Sequence, residues 1–145
     1  MTRIQRHAIV PYTPRQMFVL VDNVCDYPAF LPWCVSANEI QRQGNMLEAT
    51  IELAKGAVRK SFSTRNHNNP DEHIDISLLD GPFKKLEGSW DFLPLQDGAA
   101  CKVLLDLEFE FSNRIMSAVL GPVFNTIANS LVDAFVARAR VVYGD

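Results

Sequence analysis

Val103-Leu104-Leu105-Asp106-Leu107-Glu108-Phe109-Glu110-Phe111 runs through Ser112-Asn113 directly into a segment that ends at Tyr143. In the first stretch Val103, Leu105, Leu107, Phe109 and Phe111 alternate with Lys102, Asp106, Glu108 and Glu110. Period two with one apolar set is the pattern of a strand that buries one face and wets the other. In the second stretch Met116, Leu120, Phe124, Ile127, Leu131, Phe135 and Val142 recur at helical spacing, and Val119, Val123, Ala128, Val132 and Ala139 widen the stripe. A half-buried strand thus leads directly into a long helix over about Asn113 to Tyr143, with a bend expected near Gly121-Pro122.

Working back from this junction, the same alternation recurs. Leu86, Gly88, Trp90 and Phe92 share one parity, and so do Ile74, Ile76 and Leu78. Val58, Lys60, Phe62 and Thr64 form another inward set, and Leu47, Ala49, Ile51 and Leu53 a fourth. Gln43-Gly44-Asn45, Asn68-Asn69-Pro70-Asp71, Asp80-Gly81-Pro82 and Gln96-Asp97-Gly98 separate the runs, so consecutive strands form hairpins. With a strand near Val35–Ile40 and an opening strand at Thr2–Val10, about seven result. After Pro11, Thr13, Pro14 and Gln16 make a capping box with proline at the first helical position. That helix runs to about residue 24. Pro28 and Pro32 limit the next segment to a short turn.

A sheet with one apolar face must cover that face. The only element long enough is the C-terminal helix, about 45 Å at 1.5 Å per residue. The expected fold is therefore α+β: a curved, seven-stranded antiparallel sheet wrapped around the helix, with two short helices between strands 1 and 2. A curved sheet gripping one rod rarely fills completely, so an apolar cavity beside the helix is expected, suited to an apolar ligand.

The composition agrees. The chain has 145 residues, 48% of them hydrophobic and 21% charged, which fits one globular domain over 1–145. Fourteen Lys and Arg against seventeen Asp and Glu leave a net charge of −3, which excludes a bulk polycation that holds nucleic acid by charge alone. Cys25, Cys34 and Cys101 are odd in number and lack metal-ligand spacing, so they read as reduced thiols. The uncharged stretch from Ile115 to Val132 approaches the length of a membrane span, but Gly121, Pro122, Asn125, Asn129 and Ser130 favour a core helix. No apolar signal core comes after Met1–Arg6, and the cytoplasm is the expected location.

Catalytic chemistry is hard to assemble from this sequence. His7, His67 and His73 fall on separate segments without ligand spacing, no phosphate loop or nucleophile motif occurs, and Glu108 and Glu110 point outward by parity. No enzymatic activity, metal or required cofactor is expected. Lys60 has the inward parity, and an unpaired buried ammonium is costly. It snorkels out at the sheet's end, is turned out by a bulge, or meets a polar head group in the cavity. Arg59, Arg65 and Lys85 share outward parity and Lys84 precedes Lys85. These four read as ordinary surface charge or, if their strands adjoin, as a basic patch for RNA or phospholipid phosphate. Tyr27, Phe30, Leu31 and Trp33 crowd a segment too short to bury them alone, which reads as a plug for one end of the curled sheet or as the cavity mouth, two compatible readings.

Three blocks in this order resemble one family: Val24-Cys25-Asp26-Tyr27-Pro28-Ala29-Phe30-Leu31-Pro32-Trp33-Cys34; Leu78-Leu79-Asp80-Gly81-Pro82-Phe83-Lys84-Lys85-Leu86-Glu87-Gly88-Ser89-Trp90-Asp91-Phe92; and the helix from Val123 to Ala139. Together they cover nearly the whole chain and are similar to the coenzyme Q-binding START-like family, within the polyketide cyclase/dehydrase and lipid transport superfamily. The resemblance implies a helix-grip fold. It implies two roles: binding ubiquinone or a similar isoprenoid lipid in support of respiration, or binding the large ribosomal subunit as a toxin that blocks subunit joining. It brings no catalytic residues. Its matching blocks place Tyr27, Phe30, Leu31, Trp33, Phe83, Trp90, Phe92, Phe124, Ile127, Leu131 and Phe135 at the ligand, with Phe62 on the facing strand and the quinone head near Tyr27 and Trp33, in reach of Lys60. The partners implied are a ubiquinone-like molecule, the large ribosomal subunit, an antitoxin protein, and a transient contact at the periphery of the inner membrane.

Overall fold

The structure, a computed structural model, describes residues 1–144. Seven strands form: β1 (Thr2–Val10), β2 (Cys34–Gln43), β3 (Met46–Lys55), β4 (Val58–Asn69), β5 (His73–Asp80), β6 (Phe83–Leu95) and β7 (Ala100–Phe111). All neighbours are antiparallel in the order β1-β7-β6-β5-β4-β3-β2. The chain from β2 to β7 is therefore a meander, and β1 closes on the last strand. Gly44 and Gly56, both at φ +60°, turn the two tightest hairpins, a backbone conformation that glycine adopts at little cost.

Between β1 and β2 lie α1 (Pro14–Asp22) and a 3-10 turn at Val24–Ala29. The expected capping box is present: the Thr13 hydroxyl accepts from the Gln16 backbone, and the Gln16 side chain accepts from the Thr13 backbone. α1 ends at Asp22, slightly before the expected residue 24, and Pro28 is accommodated in the tighter 3-10 turn. β4 continues past Arg65 to Asn69, further than the alternation of apolar residues had indicated.

α2 (Arg114–Tyr143) is one continuous helix through Gly121-Pro122. By length and hydropathy it is able to cross a membrane. Here its inner face, including Leu120, Phe124, Ile127, Val132 and Phe135, is buried against the sheet. The core falls into two clusters. One lies beneath α1 and the 3-10 turn and contains Met17, Val21, Trp90, Phe92 and Phe135. The other is mainly aromatic and contains Phe62, Phe83, Phe109 and Phe124. The candidate site lies between them.

Candidate functional site

A cavity of about 100 Å³ separates the two clusters, with the sheet on one side and α2 on the other. Small residues on facing elements leave it open: Ala49 on β3, Thr64 on β4 and Ala128 on α2, each almost wholly buried. No larger side chain reaches across from these positions. An engineered cavity of about 150 Å³ takes benzene. The space is about two-thirds of that, so it admits a small ring at most, and it falls below the several hundred Å³ of sites that engulf a larger ligand.

Of the residues expected at the ligand, Tyr27, Trp33, Phe62, Trp90, Phe124, Ile127, Leu131 and Phe135 line this cavity. Five do not. Phe30 packs on the outer side of Tyr27 and Phe135, with ring centres 6.1 and 5.3 Å away, and Leu31 is fully buried in the first core cluster. Phe92 lies edge-on to Phe18 beneath α1. Phe83 stacks on Phe111 at 5.2 Å and closes the aromatic end. Lys60 pairs with Leu53 close to the β3–β4 turn, is half-buried, and is absent from the lining. Its partial exposure fits a snorkelling ammonium, so no head group meets it in this cavity.

The Tyr27 phenol is also occupied. It donates to the Val21 carbonyl, and burial pushes its pKa well above the ordinary value. Tyr27 therefore presents a ring to the cavity and keeps its hydroxyl for the fold. The polar groups that do line the cavity, Thr64 and Asn66, are not the ones that the sequence pattern singles out. Continuing the parity of β4 past Thr64 finds Asn66, but the Asn-Asn-Pro sequence just beyond it signals a turn. Val21, Val24, Ile51, Ile76, Leu86 and Leu107 complete the wall and were likewise not expected at the ligand. Among the described residues, the lining contains no carboxylate, imidazole, thiol or amine.

Trp33 and Ile127 have a second role. Both also line an outer groove of about 430 Å³, formed with Pro32, Ala54, Lys55, Thr126 and Ser130. Only these two side chains are common to the two spaces. They form the partition between the interior and the surface, and Trp33 is half-buried there. The mouth expected at the Tyr27–Trp33 segment is thus on its Trp33 side.

The outer face of the sheet does not gather the four basic residues into one patch. Arg59 and Arg65 are on β4 and Lys84 and Lys85 on β6, with β5 between them. Each has an acidic partner: Arg59 with Glu52 at 3.0 Å, Arg65 with Glu48 at 2.7 Å, Lys84 with Glu110 at 4.0 Å, and Lys85 with Glu108 at 3.2 Å. Parity had placed Arg59, Arg65 and Lys85 on the outer face, and Lys84, expected in the turn before Lys85, lies on β6 itself; cross-strand pairing divides and neutralises all four. Hydrogen bonds from Arg65 and Gln41 hold the Glu48 carboxyl below its usual pKa.

Among known proteins, the family described as polyketide cyclase / dehydrase and lipid transport matches residues 10–136. The ribosome association toxin RatA of Pseudomonas aeruginosa is 42% identical over 143 residues, covering 99% of each chain. An 18 kDa protein of Caulobacter crescentus, solved in solution, is 34% identical with a TM-score of 0.76 and full coverage of both chains. More distantly, the mitochondrial coenzyme Q-binding protein of Dictyostelium discoideum is 24% identical over 92% of this chain and 66% of its own length.

Proposed function

This chain belongs to the polyketide cyclase / dehydrase and lipid transport family, and from that premise we propose that it is a non-enzymatic binder of a hydrophobic ligand, ubiquinone or a related isoprenoid lipid. The observation that carries this is the cavity itself: ring-sized, walled mainly by apolar side chains, and without a titratable group free to act as acid or base. On this reading the quinone ring is the part that enters the cavity, and the prenyl chain, for which the volume is too small, is not. The tail therefore passes Trp33 and Ile127 and lies in the outer groove beside Pro32, Ala54 and Thr126. Loading and release then need only a transient contact with the inner membrane.

The test is solvent extraction of protein purified from its native host, followed by mass spectrometry of the lipid. A near-stoichiometric isoprenoid quinone is the expected result. Material that is repeatedly empty overturns the reading.

A second reading, ribosome association, with an antitoxin as the further partner that a toxin implies, is favoured by the 42% identity to a protein named ribosome association toxin over almost the full chain. It uses the exterior, so both activities can reside in one molecule. Cosedimentation with the large ribosomal subunit in a sucrose gradient is its expected signature. A protein that stays at the top of the gradient ends it.

A further inference from the structure

The alternation of β4 puts Phe62, Thr64, Asn66 and Asn68 on the inner face in succession. An apolar sheet face that turns polar for three positions beneath a buried cover requires an explanation. Asn68 has one: its Nδ2 donates to Asp22 Oδ1 at 2.9 Å and braces the end of α1, although its own Oδ1 is buried without a partner. Asn66 has none of this kind. Its register neighbours are Leu47 and Ile76, it lines the cavity, and its Oδ1 is buried without a hydrogen-bond partner. No side chain among the described residues bonds to its amide. A buried amide oxygen left unpaired is a standing cost to the fold.

We propose that Asn66 is the polar anchor of the cavity, and that the ligand brings to it a hydrogen-bond donor, a hydroxyl carried on an apolar ring. This rests on the reading of the cavity as a ligand site and specifies the chemistry of what enters. An amide oxygen accepts and does not donate, so a group that only accepts leaves it unsatisfied. A trapped water typically makes about three hydrogen bonds, and the lining offers it two polar side chains, Thr64 and Asn66, so it would be held at the low end of that range. A ring hydroxyl needs one partner and brings its own apolar body to fill the space. For a quinone-type ligand, the hydroxyl-bearing reduced form is then the preferred occupant.

The experiment compares three ring-sized probes of similar shape, p-xylene, p-cresol and p-tolualdehyde, on wild type and Asn66→Leu by calorimetry. In the variant, p-cresol affinity relative to p-xylene falls roughly three- to tenfold, the range of one neutral hydrogen bond. The variant also melts at a higher temperature, because an unpaired polar group has been removed; Asn66→Ala serves if the leucine does not fit. If p-xylene binds and the ratio is unchanged, the anchor is wrong and the cavity reading stands. If Asn66→Leu weakens p-tolualdehyde more than p-cresol, the amide is turned the other way and the donor assignment fails. If no probe binds wild type, the cavity reading falls and the anchor with it.

Discussion

Arg138 Nη2 lies 3.2 Å from Asp26 Oδ2, and the same guanidinium stands 5.1 Å from the centre of the Phe30 ring. One side chain late in α2 thereby fastens the 3-10 turn and the segment leading to Trp33. The first and third sequence blocks that carry the family resemblance meet at this contact.

The clamp is partly exposed, so its worth is modest. Arg138→Ala loses a cation–π contact and an ion pair, together about 1 kcal/mol. Asp26→Asn keeps the stacking and costs about half as much. Urea unfolding of both variants checks this; equal losses would show that Phe30 contributes nothing.

If Trp33 is half of the partition, shortening it joins the cavity to the outer groove. Trp33→Leu should speed the release of a bound apolar fluorophore several-fold, at a stability cost of about 1–2 kcal/mol for a half-buried large-to-small change. Stopped-flow displacement measures the rate. Release as slow as in wild type would place the exit elsewhere.

His73 sits between two carboxylates, with Nδ1 2.6 Å from Asp91 and Nε2 2.7 Å from Asp75. Partial burial disfavours its charged form, but the two hydrogen bonds outweigh that and raise its pKa above the ordinary 6.5. Its stabilising effect is complete below pH 6.5 and is lost as the pH rises through the higher folded value. For so exposed a cluster it is below about 1 kcal/mol. An NMR titration should find the His73 midpoint above the ordinary histidine value, and Asp91→Asn should lower it.

Burial pushes the thiols of Cys34 and Cys101 up to about 11, while Cys25 is exposed. Iodoacetamide at about pH 7.5 should label Cys25 alone in the folded protein, and all three in urea. Early labelling of Cys34, which adjoins Trp33, would report opening of the mouth.

The fold was legible because burial here is one-sided. β7 and α2 each carry a single apolar face, so their periods could be read directly, and the capping box at Thr13 fixed the start of α1. The site was legible only where its residues were apolar or aromatic. Asn66 was hidden because an asparagine close to Asn-Asn-Pro looks like a turn, and only the ladder to Leu47 and Ile76 shows it inside. Phe92 has inward parity like Trp90, yet it packs beneath α1, because parity gives the face and not the position along it; Phe83 has the opposite parity and is buried at the other end of the interior only because the register shifts between Phe83 and Lys85. The size of the cavity depends on how Ala49, Thr64 and Ala128 face one another, which no linear spacing encodes.

The pairing of Arg59 with Glu52 and of Arg65 with Glu48 has an electrostatic consequence for any partner that bears phosphates. A phosphate arriving at either arginine displaces a carboxylate that belongs to the protein, and the freed carboxylate repels it. Fewer condensed sodium ions are then released per contact than when a bare cation meets RNA, and affinity should fall with added salt by less than about 0.9 log unit per tenfold for each phosphate engaged.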